Sequence, residues 1–392
     1  MVRSVGCVVV GGGIAGLMVA ARLAAAGWKV VVLERGLLGS GATTSNHGIV
    51  HSGALYARWH PEIVSSCRQA QAGFAESFPE CVVGAESCWY LGHSETMQAY
   101  EALWHGQGIA YHDVDPSEIG EVVARHHDVV GRAVEELVID TRALLVELAT
   151  RCVALGVEIA VATGAQRIVI DDGHVRAVDT AREHILTPNV VVCAGIGTGE
   201  LLERSGSTVA AQLSSRLEMM TAYPGTVTRP IVGLEFSWPA LAPAAVPGVV
   251  LASRYGGVQR RVTGPGRWPV PAAEATALDL ELTEWLVPGV IDHSGAQSWV
   301  CSKTEYTRVC DQWGTAPDYA AIDHASENIT GLRTLLPGKM TLSLHGSRDI
   351  AASLLGAPQP LPIACSDRTS VGEVAELVSL PPWAAHREVE AR

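Results

Sequence analysis

Apolar and polar positions along the chain fall into runs whose spacing marks the elements. Gly6–Val10 is a short β-type apolar run that ends in glycine. The alanine-rich stretch Ile14–Ala26 has high helix propensity, and Gly27 ends it. Lys29–Leu33 reads as a second buried strand that closes on Glu34. Strand, turn, helix and strand within about 30 residues make one βαβ unit. Parallel strands require such a crossover, so the chain opens an α/β sheet. Gly36–Tyr56 then carries no charge and is rich in Gly, Ser and Thr. A surface linker of that length carries charges, so this segment is expected to pack against something.

Glu62–Ser77 reads as a helix with Pro61 at its start. His112–Gly131 is polar and is expected to form a peripheral loop-and-helix region. Thr141–Leu155 places Leu144, Leu145, Leu148 and Val153 near helical spacing, and Gly156 ends it. Val157–Ala162, Arg167–Ile170 and His174–Val178 read as strands, with Asp171-Asp172-Gly173 as a hairpin turn. Asn189–Cys193 is another buried strand, followed by Ala194-Gly195. From Gln212 to Trp313 prolines and tryptophans are dense, which suggests a β-rich second domain. Leu332–Leu355 reads as strand, Pro337-Gly338 turn and helix, and the tail after Gly356 as surface packing.

Charge changes this picture in one place. The 392 residues carry a net −13, which disfavours nucleic acid and anionic membranes as partners. Yet the stretch before Glu62 holds Arg3, Arg22, Lys29, Arg35 and Arg58 against Glu34 alone. A basic island of that kind suits a ligand with a few phosphates. Nine cysteines, an odd number without a C-x-x-C pair, argue against a disulfide framework and for a reducing, cytoplasmic setting. The uncharged run at residues 4–21 is broken by Gly11, Gly12, Gly13 and Gly16, which argues against a secretory signal, and no integral membrane segment is expected.

Gly11-Gly12-Gly13-Ile14-Ala15-Gly16 has the G-x-G-x-x-G spacing, between a strand and a helix. Gly11 permits the tight turn, Gly13 admits a pyrophosphate to the backbone, and Gly16 lets helix and strand pack closely. The helix N-terminus, through Ile14 and Ala15, offers N–H groups to phosphate. Glu34 is placed to accept both ribose hydroxyls, which disfavours NADP. FAD and NAD both fit. The N-terminal position of the motif, the uncharged loop and the distant strand Val190–Gly197 favour FAD.

The string Val8–Glu34, followed by Thr43-Thr44-Ser45-Asn46-His47-Gly48-Ile49-Val50-His51-Ser52-Gly53, resembles the D-amino-acid oxidase-type flavoproteins, the DAO superfamily. Its loop looks most like the branch of L-2-hydroxyglutarate dehydrogenases and FAD-dependent glycerol-3-phosphate dehydrogenases. The resemblance is specific over residues 8–56, loose from Val138 to Leu202, and returns at Pro317–Leu355. It implies that Glu34 and Arg35 hold the adenosine ribose. Thr44, Ser45 and Asn46 would lie along the pyrophosphate and ribityl chain, and His47, Gly48 and Ile49 beside the isoalloxazine. Arg167 and Ile168 would touch adenine through their backbone. Ala194 and Gly195 would contact the pyrophosphate, and Gly338, Lys339, Met340 and Thr341 would cover the flavin pyrimidine edge. The family's Arg-Pro-x-x-x-Asp-x-x-Pro stretch is degraded here to Trp313–Ile322, so its substrate anchors do not transfer.

The expected fold is α/β. A discontinuous Rossmann-type FAD domain (1–80, 135–212, 318–356) joins an α+β substrate domain on a mixed sheet (81–134, 213–317), with a tail at 357–392. The expected reaction removes hydride from a secondary alcohol or 2-hydroxy acid to flavin N5. The alternatives are amine or amino-acid oxidation, including a tailoring step in biosynthesis, and flavin binding without turnover. His51 is the candidate base, since histidine titrates near neutral pH. His47 is the weaker base candidate and the better flavin contact. Lys339 would stabilise reduced flavin, and Lys303 would face substrate or pair with Glu305. Arg254 and Tyr255, with Arg260 and Arg261, offer an anchor for an acidic substrate or form a solvated loop. His126-His127 lacks zinc-ligand spacing, and no metal is expected. The reoxidant, O2 or a quinone, stays open, as does covalent attachment of FAD.

Overall fold

Strand Cys7–Val10 has all four residues buried, because the sheet it belongs to is covered on both faces. In the computed structural model, which describes residues 2–84, 87–124, 128–235, 238–254, 260–262, 268–309, 317–362 and 371–385, this sheet has six strands. Their order is Glu158–Ala160, Val30–Leu33, Cys7–Val10, Val190–Val192, Leu332–Leu336 and Ala320–Asp323. Neighbours are parallel except the last pair. Cys7, Val9, Val30, Val32 and Val191 pack toward helices Ile14–Ala25, Thr141–Ala154 and Ser343–Leu355. Val8, Val10, Val31, Leu33, Val190 and Val192 point the other way, onto Ile168, Val175, Val178 and Ile185. The side-chain period of two thus explains why no polar residue interrupts these strands.

The second layer is a four-stranded sheet of Val2–Ser4, His184–Leu186, His174–Thr180 and Ala165–Asp171. Its hairpin turns at Asp172 (φ 47°) and Gly173 (φ 70°), the left-handed pair of a two-residue turn. Helix Thr141–Ala154 starts where Asp140 accepts hydrogen bonds from the N–H groups of Arg142 and Ala143.

A nine-stranded sheet forms the other half, drawn from segments at 88–134 and 213–306. It is mixed: Ile231–Gly233 runs parallel to Cys88–Gly92, while its other ladders are antiparallel. Leu213–Pro224 and Gln297–Tyr306 pair along ten residues and form the long floor of this half. A fourth, three-stranded sheet joins Ile49–Val50 to Leu137–Ile139 and Val82–Gly84.

Two expectations change. The polar stretch at 112–131 supplies strand residues to the mixed sheet, and its helix Pro116–Val122 buries Ile119 beside Val123. The segment after Gly356 does not merely coat the surface. Val374 and Val378 are buried in the main core, and Trp383 packs against Trp299. Leu38 bridges to Val378, and Ser379 N–H donates to the Leu38 carbonyl. Among the described residues, no helix is long and apolar enough to cross a membrane.

Candidate functional site

Strand order reverses between Cys7–Val10 and Val190–Val192, the point in an open α/β sheet where ligands bind. A cavity of about 1600 Å³ opens there and runs to the face of the mixed sheet. It exceeds a typical single-ligand pocket of about 300–1,000 Å³ and has room for a cofactor and a second molecule.

The glycine turn is built as the motif requires. Gly11 has φ +111°, and a Cβ there would lie 2.3 Å from the Cys193 carbonyl oxygen. A Cβ on Gly16 would lie 1.9 Å from the Gly11 oxygen, so helix and turn are in direct contact. No acidic residue occupies the helix's first turn, which leaves its positive end for an anion. The Glu34 carboxylate accepts from the Gly12 and Gly36 N–H groups, both at 2.8 Å. Gly11, Gly13, Ile14, Ala15, Glu34, Arg35, Ala194 and Gly195 all line the cavity. These residues fit a dinucleotide: a carboxylate for ribose, a bare helix end for pyrophosphate, and glycines that a side chain would fill. Gly16 does its part from behind the lining.

The basic island has a narrower role than its charge suggested. Only Arg35 and Arg58 of its five cations line the cavity. Arg3 pairs with Glu158 and Glu183, and buried Arg22 donates to Ser347 Oγ and the Gln359 carbonyl. What the stretch offers a phosphate is chiefly the absence of acid.

The uncharged loop does pack inward. Asn46, His47 and Ile49 line the cavity, while Thr44, Ser45 and Gly48 do not. Thr44 and Ser45 spend their hydroxyls on the Gly39 and Gly41 carbonyls, both at 2.9 Å. Gly48 lies against Ile139, whose N–H donates to the Gly48 carbonyl. Arg167 and Ile168 also lie off the lining, where Gly164, Ala165 and Gln166 take their place. Ile168 is fully buried, and its N–H donates to Ser205 Oγ. The ladder shifts register between Ala165 and Arg167, next to the residues that line the cavity. Gly338, Lys339 and Met340 line the other end, but Thr341 turns away to accept from the His51 N–H at 3.0 Å.

His51 is buried yet lines the cavity. Its ring sits edge-on to His47 (5.8 Å) and Tyr56 (5.2 Å). Neither ring nitrogen has a hydrogen-bond partner among the described residues, and Nδ1 is fully enclosed. Burial, then His47, Lys339 and Lys303, hold its pKa well below the usual histidine value, so it is neutral at pH 7. His47 is likewise held down to about 4 by burial and by Lys303, and its Nδ1 accepts from the Ile49 N–H. Lys339 donates to the Pro317 carbonyl at 2.6 Å and lies 4.6 Å from the Tyr56 ring. Burial and Lys303 lower it to about 8. Lys303 pairs with Glu218 at 2.5 Å, not with Glu305, which instead binds Arg216 at 3.0 Å. Arg216 also contacts Glu218, so Lys303, Glu218, Arg216 and Glu305 form one chain of alternating charge.

Arg254, Arg260 and Arg261 are strand residues, but their side chains, like Tyr255 and the His126-His127 pair, lie outside the described residues. Several cavity residues escaped the sequence reading. Arg216 and Glu218 were detectable as charges two apart in an apolar strand, hence on one face. Arg58 lies against the Trp59 (5.0 Å) and Tyr100 (5.9 Å) rings with no carboxylate partner among the described residues. Glu136, which does not itself line the cavity, gave no sequence signal. It is 1% exposed and accepts from Ser52, beside His51.

The model of the DAO family, "FAD dependent oxidoreductase", matches residues 7–318. A probable FAD-dependent oxidoreductase, PA4991 of Pseudomonas aeruginosa, is 51% identical over 49 residues, 12% of each chain. One subunit of the anaerobic glycerol-3-phosphate dehydrogenase of Escherichia coli K12 is 40% identical over 60 residues, 15% of this chain and 11% of that one. The matched segments thus span about a tenth of these curated relatives. In fold, the chain is similar to the Tyr258Phe mutant of NikD, an unusual amino acid oxidase essential for nikkomycin biosynthesis. The TM-score is 0.74 at 17% identity, over 93% of this chain and all of that one.

Proposed function

The chain belongs to the DAO family of FAD-dependent oxidoreductases, and from that premise we propose that it oxidises the CH–OH group of a small 2-hydroxy acid or secondary alcohol. Bound FAD supplies the two-electron acceptor, taking hydride at N5. Glu34 would hold the adenosine ribose, the Ile14 helix end the pyrophosphate, and Gly338, Lys339 and Met340 the flavin end.

The observation that carries the reading is His51: a buried, neutral imidazole on the cavity wall with no partner of its own among the described residues. It can receive the hydroxyl proton as the C–H bond breaks. Lys339 and Lys303 weaken it as a base. A carboxylate on the substrate would offset those charges and raise the basicity of His51 at the moment of binding. Arg58, unpaired among the described residues and backed by two rings, supplies a cation for such a group.

Glu218 favours a second reading, amine or amino-acid oxidation. Its carboxylate lines the cavity and could hold an ammonium group, and the NikD relative is an amino acid oxidase. Anaerobic bleaching of the bound flavin separates the two. Lactate, 2-hydroxyglutarate and glycerol 3-phosphate are compared with proline, glycine and other amino acids. Bleaching by hydroxy compounds supports the first reading, and bleaching by amines alone overturns it. A purified protein that takes up no FAD would overturn both.

A further inference from the structure

We propose that Glu136 is a positioning residue for the active-site loop: it clamps Ser52 so that the neighbouring imidazole of His51 is held in its buried place on the cavity wall. The inference rests on His51 as proton acceptor in the proposed reaction.

Glu136 lies between strands Val130–Val134 and Leu137–Ile139, where the chain passes from the large mixed sheet to the small sheet that holds Ile49–Val50. Both carboxyl oxygens are used. Oε1 accepts from Ser52 Oγ and from the Tyr90 hydroxyl, each at 2.7 Å. Oε2 accepts from the Ser52 N–H at 2.6 Å, with Gln71 Nε2 further off at 3.4 Å. Tyr90 belongs to the mixed sheet and Gln71 to helix Val64–Ser77. One carboxyl therefore ties the loop to two other elements.

The loop is fixed on its other side too. The His51 N–H donates to Thr341 Oγ1, which belongs to the turn carrying Lys339. Consecutive N–H groups, of His51 and Ser52, are thus anchored to two separate segments, through Thr341 and Glu136, which fixes the backbone that carries the ring. Just beyond, Gly53 adopts φ +98° and Ala54 N–H donates to Ser52 Oγ, so the clamp extends into the turn Ala54–Arg58.

A buried carboxyl without a cation among its hydrogen-bond partners is a costly way to hold a loop. Burial pushes Glu136 up to about 7, against the hydrogen bonds from Tyr90 and Ser52. A loop that served packing alone would be held as well by an apolar contact. What the carboxyl adds is directional acceptance on both oxygens, and misplacing a reacting group by about 1 Å can cost ~10²-fold in rate.

The test uses the FAD-loaded full chain with Glu136→Ala, Glu136→Gln and Ser52→Ala. The His51 ring is followed by carbon-13 histidine labelling, its signal identified with His51→Asn. In the wild type that ring resists protonation. In Glu136→Ala the ring is expected to gain water and titrate toward the ordinary value of about 6.5, while FAD affinity is unchanged. Flavin reduction is expected to slow by about 10²-fold without a matching change in KM. Glu136→Gln keeps an acceptor for the Ser52 N–H and is expected to restore the low His51 pKa. Ser52→Ala gives an intermediate shift and serves if Glu136→Ala does not fold. Unchanged His51 titration in Glu136→Ala, or in Ser52→Ala if the former fails to fold, overturns the proposal. If His51→Asn reduces flavin as fast as wild type, the proposed base is wrong, yet the ring titration still decides the role of Glu136.

Discussion

Replacing Gly16 by alanine tests the central geometric claim about the cofactor turn. The added Cβ would sit 1.9 Å from the Gly11 oxygen, where ordinary contact begins near 3.4 Å. Helix and turn must separate by about 1.5 Å, the rise of one helical residue. The helix cannot slide freely, because Ile14 through Ala24 are all buried. Overpacking of this kind costs about 1–3 kcal/mol in stability. The same displacement takes the helix N–H groups out of hydrogen-bond range of a pyrophosphate. One charged hydrogen bond lost is worth about 1.5–3 kcal/mol, so FAD affinity should fall about 10- to 150-fold. The assay is quenching of flavin fluorescence on titrating apoprotein, alongside the melting midpoint. Gly106→Ala is the control: a Cβ there meets nothing within 4 Å, inside helix Ser94–Gln107. If Gly16→Ala binds FAD and melts like Gly106→Ala, the close-packed turn is not what organises the site.

Three further outcomes are expected. Glu34→Arg removes the acceptor of the Gly12 and Gly36 N–H groups and should leave the purified protein nearly colourless; full yellow colour would count against the ribose contact. His51→Asn should slow anaerobic flavin reduction by about 10²–10⁴-fold with FAD content intact; loss of FAD instead would mark His51 as a binding residue. The Glu136 carboxyl titrates near 7 when folded against a usual 4.5, so between these values the folded protein holds a proton that the unfolded chain has released. The Glu136 contribution to stability is therefore fully present below about 4.5 and is lost, by up to about 3 kcal/mol, as pH rises to about 7, while the buried neutral His47 and His51 slope the other way. Urea unfolding across that range should show the effect as a stability difference between wild type and Glu136→Gln that falls as pH rises; a difference independent of pH would refute it.

The dinucleotide end was legible because its constraints are local. Three glycines and one carboxylate within 30 residues encode a tight turn, a close-packed helix end and an acidic group on the cavity wall. The uncharged loop was legible too, since a segment without charge has to be enclosed. Contacts that depend on register were not. The resemblance pointed to Arg167 and Ile168, whereas Gly164, Ala165 and Gln166 line the cavity, beside an irregularity in the ladder. Pairing across the mixed sheet was equally hidden: Lys303 has Glu305 two residues away, yet it meets Glu218 on the adjoining strand. Glu136 finds Ser52, Tyr90 and Gln71 at separations of 84, 46 and 65 residues, and no local pattern reports such distances.

The reversal of strand order at the crevice also has a consequence for synthesis. Cys7–Val10 and Val190–Val192, the two strands that flank it, are about 180 residues apart in the chain. At a translation rate of about 5–20 residues per second, the second emerges roughly 10–40 s after the first. During that interval Cys7–Val10 has an uncovered ladder edge, and Leu332–Leu336, which pairs with Val190–Val192, is further still behind. A strand apolar on both sides and open along one edge is a template for association between chains. The nascent protein is therefore expected to need a holding chaperone more than its finished, cofactor-loaded form does.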